Sequence, residues 1–155
     1  MMISIEEVSP MIYMGIDPGK DGAFAIIDDD GRTTVHPFDR TEFIETCRAL
    51  ARLPVVCCLE QVHSMPKQGV SSTFNFGKTA GYLEGVLEAF GIAYQLVTPQ
   101  KWKKEFSLNN TKQNSIDVCH QLFPGVNLKR TDRCKKDHDG MAEALLMALY
   151  AKRKF

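Results

Sequence analysis

Four carboxylates in this 155-residue chain fall where strands or helices are expected to end: Asp17, Glu60, Asp139 and Glu143. Asp17 closes the apolar run 11–16 ahead of Pro18-Gly19, and Glu60 closes the apolar run 55–59. Asp139 and Glu143 are four residues apart at the start of the last helical stretch, so they share one helix face. If the strands ending in Asp17 and Glu60 are neighbours and the last helix crosses them, four like charges meet at one sheet edge. Such a cluster repels itself unless cations neutralise it. Hard oxygen donors without a His/Cys cage select Mg²⁺, with Mn²⁺ as a substitute. Two such ions, roughly 3.5–4 Å apart, activate a water and stabilise the leaving oxygen in phosphodiester hydrolysis.

Each acid also has an ordinary structural role. Asp17 suits a turn before Pro-Gly, and Glu60 suits a loop after a buried strand. Asp139 suits a helix N-cap and Glu143 a first-turn acid beside the helix dipole. Chemistry is indicated by the set and its order along the chain, not by any one acid.

The elements that must position these acids follow from periodicity. Runs 11–16, 22–27 and 33–36, separated by Asp17-Pro18-Gly19 and the acidic turn Asp28-Asp29-Asp30-Gly31, predict an antiparallel three-strand meander. Helical spacing of apolar residues follows at 41–53, ended by Pro54, and then the continuous apolar run 55–59 of a buried strand. A helix from about 71 to 90, a strand at 92–97 and helices starting at 98, 111 and 139 complete the chain. Thr98-Pro99 supplies an N-cap and first-turn proline. The order β-β-β-α-β-α-β-α-α-α predicts an α/β fold with a mixed sheet, in one domain over 11–155 behind a flexible leader at 1–10.

Composition is globular, with 44% hydrophobic and 25% charged residues. No apolar run is long enough to span a bilayer, and the leader has neither the basic start nor the apolar stretch of a secretory signal, so no membrane partner is expected. Five cysteines, Cys47, Cys57, Cys58, Cys119 and Cys134, form no zinc spacing and read as reduced and mostly buried. Net charge is zero but unevenly spread. Residues 1–100 hold 13 acidic and 7 basic side chains, and residues 101–155 hold 6 and 12. A basic face beside an acid cluster is compatible with a nucleic-acid substrate.

The stretches Gly15-Ile16-Asp17-Pro18-Gly19, Leu59-Glu60-Gln61-Val62 and Asp139-Gly140-Met141-Ala142-Glu143-Ala144-Leu145-Leu146 resemble, in order, the acidic motifs of RuvC-type Holliday junction resolvases, with the phage-encoded branch closest. Val97-Thr98-Pro99-Gln100-Lys101-Trp102-Lys103 resembles that family's link from the last strand into the following helix. The resemblance implies an RNase H-like fold with a mixed five-stranded sheet flanked by helices. It also implies a homodimer and Mg²⁺-dependent paired incision of four-way DNA junctions in the cytoplasm of a bacterial or phage-infected cell. Its metal ligands would be Asp17, Glu60, Asp139 and Glu143, and Lys103 and Lys112 occupy positions similar to its active-site lysines. The chain departs from many bacterial members, which space the last two acids by three residues and use Asp for both. Asp137 therefore competes with Asp139, and His138 is a further candidate ligand.

Three other features need partners. Gly77, Gly81 and Gly85 form a bare ridge on one helix, each at about 0.8–1 kcal/mol against alanine, which calls for close approach of the chain's own sheet or a second subunit. Phe74 and Phe76 are expected to place at least one ring in the core, with the other free to stack on an unpaired base. Lys101, Lys104, Lys129, Arg130, Arg133, Lys135 and Lys136 are candidate phosphate contacts. Competing readings are an RNase H-like nuclease acting on RNA, a non-catalytic junction-binding module and half of a sugar-kinase-like ATPase. The last needs a second domain that this length does not supply.

Overall fold

The structure, a computed structural model, describes residues 9–155; residues 1–8, most of the expected leader, lie outside the described residues. Five strands form one mixed sheet: β1 Ile12–Asp17, β2 Ala23–Asp28, β3 Thr33–Pro37, β4 Val55–Glu60 and β5 Ala93–Val97. The helices are α1 Arg40–Leu50, α2 Val70–Ala89, α3 Pro99–Glu105, α4 Lys112–Leu122 and α5 Asp139–Lys154. Element order and sheet type match the sequence expectation. The strand order is β3-β2-β1-β4-β5, with β1–β2 and β2–β3 antiparallel and β1–β4 and β4–β5 parallel.

Strand alternation divides the core between the two sheet faces. Met14, Ile16, Phe24, Cys57 and Leu59 face α1 and α2, where they meet Phe43, Cys47, Leu83 and Leu87. Ala23, Ala25, Ile27 and Cys58 face α5, with Trp102, Ile116 and Leu145 in the same cluster. The small residues on this second face let a helix lie close to the strands. That helix is α5, which buries ten of its sixteen residues and so is a central element, not a surface one. Helix entries follow local chemistry. Asp39 accepts from the Glu42 amide at the start of α1 (2.9 Å), and Thr98 accepts from the Lys101 amide at the start of α3.

On α2 one expectation is corrected and one alternative is closed. Phe74 and Phe76 are both exposed, at 67% and 39%, so neither ring packs in the core. The N-terminal half of α2 is largely exposed, and only Leu83 and Leu87 are buried along its length. The glycine ridge does not meet the sheet either. A Cβ built on Gly77, Gly81 or Gly85 finds no atom within 4 Å. Four cysteines are buried, Cys134 is half-buried, and all five are free thiols.

Candidate active site

The register of the sheet brings the first two acids together. Ile16 pairs with Leu59 in the parallel β1–β4 ladder, so Asp17 and Glu60 follow on adjacent strands at the same edge. A glycine brings in the other two. At Gly15 any Cβ would run into the backbone of Ala144, Met147 and Ala148, so α5 lies directly on β1 only because residue 15 has no side chain. The same closeness recurs in the first turn of α5. A Cβ on Gly140 would lie 2.7 Å from the Asp21 carbonyl oxygen, 2.8 Å from the His138 ring and 3.0 Å from Asp17 Oδ2. The Asp17 carboxylate thus packs against the helix turn that carries Asp139, and Glu143 follows one turn later.

Electrostatics records the convergence. Burial pushes the Asp17 carboxyl up to about 7; the Gly19 amide, donating to Oδ1 at 3.0 Å, pulls the other way, while Glu143, Glu60 and Asp139 add repulsion. Glu143 is likewise raised to about 7, first by burial, with Lys103 opposing and Glu60 and Asp139 reinforcing. Burial also raises Glu60, opposed by a hydrogen bond from Trp102 and the charge of Lys103. Lys103 Nζ stands 3.9 Å from Glu143 Oε1, and Lys112 Nζ stands 3.8 Å from Asp139 Oδ2. All six residues singled out in the sequence therefore lie at one end of the sheet.

Two supporting residues had no assigned role from sequence. The fully buried Trp102 donates its indole N–H to Glu60 Oε2 at 2.7 Å and fixes that carboxylate. Ser115, buried on α4, acts on Glu143 in the sense that lowers its carboxyl, against the burial that raises it. The sequence signal for Trp102 was its place in the strand-to-helix segment 97–103; Ser115 carried none.

The two rivals for ligand positions are otherwise engaged. Asp137 meets His120 Nε2 at 2.7 Å and Lys129 Nζ at 3.2 Å, which holds its carboxyl below the usual range. His138 is the N-cap of α5, its Nδ1 accepting from the Met141 amide at 3.1 Å. That leaves the proton of the neutral ring on Nε2. The cap is thus His138, and Asp139 is the first residue of the helix.

The donor set suits a divalent cation: half-buried carboxylates whose charge is opposed by burial and by one another. As the side chains stand, no three His, Cys, Asp or Glu side chains among the described residues are grouped closely enough to hold one ion. A stability prediction follows from the raised carboxyls. The contribution of neutral Asp17 and Glu143 is complete below their unfolded values near 4 and is lost as pH rises through about 7. Metal-free protein should melt at a lower temperature at about pH 8 than at about pH 5, and millimolar Mg²⁺ or Mn²⁺ should restore the loss at the higher pH. Calorimetric scans checking this should show metal raising the melting temperature chiefly above neutrality; equal melting at both pH values and no metal response would contradict it.

No family model matches the sequence, and no curated protein matches it either. Solved structures do. Thermus thermophilus RuvC in complex with Holliday junction substrate superposes with a TM-score of 0.56 at 16% identity, covering 93% of this chain and 96% of that one. The fold is that of RuvC. A second Thermus thermophilus RuvC structure agrees, with a TM-score of 0.53 at 18% identity over 92% of this chain and 96% of that one. The RuvC fold here is thus matched along nearly its whole length, while the side chains that line it have largely diverged.

Proposed function

We propose that this chain is a structure-selective DNA endonuclease that cuts four-way or otherwise branched junctions by divalent-metal-assisted phosphodiester hydrolysis. The observation carrying the reading is the meeting of Asp17, Glu60, Asp139 and Glu143 beside Lys103 and Lys112 at one edge of a RuvC-fold sheet. The similarity to a RuvC bound to Holliday junction substrate favours branched DNA over other phosphodiesters. Mg²⁺ ions held by the four carboxylates would lower the pKa of an attacking water and neutralise charge on the leaving oxygen. The chain's own groups do the rest. Trp102 and the Gly19 amide keep Glu60 and Asp17 aimed at the edge. Lys103 and Lys112 stand too far from their carboxylates for short hydrogen bonds, so their ammonium groups can turn to a phosphate oxygen.

Side-by-side incubation with labelled four-way junction, linear duplex and RNA hairpin tests substrate class. Cutting confined to the junction supports the reading; preferential cutting of the hairpin would favour the RNA alternative, and binding without cutting the non-catalytic one. For Lys112, which is largely exposed, replacement by alanine should lower turnover at saturation by roughly tenfold or more while affinity falls less. An unchanged turnover with a weaker salt dependence of binding would make it one backbone contact among many.

The protein is proposed to act as a homodimer through the ridge on α2. The open space over Gly81 lets the monomer accept a leucine, which also forms helix better by up to about 1 kcal/mol. Gly81→Leu should therefore separate two subunits without lowering monomer stability. Sedimentation of wild type and variant checks this; a folded wild type that stays monomeric at micromolar concentration contradicts it.

A further inference from the structure

Beside the carboxylate edge, α3 and the loop that follows it enclose an open groove of about 490 Å³, within the size range that holds a small ligand. Gln100, Lys103, Lys104, Ser107 and Asn110 line it, over an apolar patch from Pro99 and Leu108. Lys103 belongs to both places: it lines the groove, and its Nζ reaches toward Glu143. The groove and the acids are therefore neighbours across one lysine side chain.

The rim is held in advance. At the end of α3 the Ser107 and Leu108 amides donate back to the Lys104 and Lys103 carbonyls, at 3.1 and 3.0 Å, and Ser107 takes a left-handed φ of 53°. On the far side Asn109 Oδ1 accepts from the Thr111 amide and hydroxyl, and Asn114 Oδ1 accepts from the Asn109 amide. The side-chain oxygens of Asn109 and Asn114 are thus engaged in holding the loop. The side chains of Gln100, Ser107 and Asn110 are not: all three are exposed, and they make no hydrogen bond within the described residues.

We propose that this groove is a subsite for one nucleotide of the cut strand, next to the scissile phosphate, and that Gln100 and Asn110 read its base. The proposal rests on the endonuclease reading above. Two lysines match a phosphate, the apolar patch matches a sugar or base face, and side-chain amides present the paired donor and acceptor that base edges require. A preformed rim lowers the ordering cost of binding a single nucleotide.

The test uses amide NMR of the whole chain, titrated with short, terminally phosphorylated single-stranded oligodeoxynucleotides, alongside a panel of four-way junctions varied at the nucleotide flanking the cut. In wild type the amides of Gln100, Lys104, Ser107 and Asn110 should shift together. In a Gln100→Ala/Asn110→Ala protein those shifts should shrink, and preference among the junctions should fall by roughly tenfold. Silent groove amides in wild type overturn the subsite, whether or not junctions are cut. A wild type indifferent to the flanking base, or a double variant with undiminished preference, overturns base reading by these two residues. Shifting groove amides in a protein that cuts no branched DNA would instead contradict the endonuclease reading and leave the groove as a nucleic-acid site.

Discussion

Asp17→Asn should reduce junction cleavage about a thousandfold or more, the loss of several kcal/mol of transition-state stabilisation expected when a metal-holding charge is removed. The substitution barely changes shape. The amide oxygen of asparagine can still accept from the Gly19 amide, and the side chain still fits against the first turn of α5. Folding should not suffer, because burial and three neighbouring carboxylates already oppose ionisation of Asp17. The metal-free variant should be at least as stable as wild type above neutrality. Junction affinity should persist or rise, since the proposal assigns it to lysine and arginine contacts to phosphates and one repelling charge has gone. Single-turnover cleavage and gel-shift binding on the same preparation separate the two effects.

Gly15→Ala should be the most damaging single methyl in the chain. Backbone atoms of three α5 residues occupy the space that the new Cβ needs, and backbone cannot move aside as a side-chain tip can. Displacing α5 disturbs the second core face, where Ala142, Leu145, Leu146 and Met147 are fully or almost fully buried. Overpacking typically costs about 1–3 kcal/mol, and the rigid neighbours here place this site at or beyond the upper end, a large part of a domain's total stability. The melting temperature should fall by roughly 5–10 °C or more, or the protein should fail to fold. A variant melting within about 2 °C of wild type would show that α5 does not lie on β1 as described. The contrast with Gly81, where leucine finds open space, separates glycines kept for packing inside one chain from those left free on a surface.

Sequence reasoning read local faces well and tertiary partners poorly. Alternation and apolar runs identified the strands, and two of those strands ended in Asp17 and Glu60, so a parallel β1–β4 pair was enough to join them. Four-residue spacing placed Asp139 and Glu143 on one face of α5 without knowledge of what it covered. Trp102 was different: its bond to Glu60 spans 42 residues, and no periodicity encodes it. Gly15 looked like an ordinary strand residue, because close approach of another backbone leaves no mark on its own segment. The capping role open to Asp139 falls instead to His138, and Asp139 is the first residue of the helix. At least one of Phe74 and Phe76 was expected in the core. The first half of α2 is largely exposed, and both rings are open to solvent.

The carboxylates at this sheet edge are proposed to form a metal-dependent centre for cutting branched DNA. The most direct test incubates wild-type protein with an end-labelled four-way junction, at a protein concentration where gel shift shows the junction bound, with Mg²⁺ in one arm and a chelator in the other. The account predicts paired incisions that convert the junction to nicked duplexes with Mg²⁺, and an intact, still-bound junction with chelator. A bound junction left uncut in Mg²⁺ and in Mn²⁺, or one cut at the same rate in chelator, would contradict it.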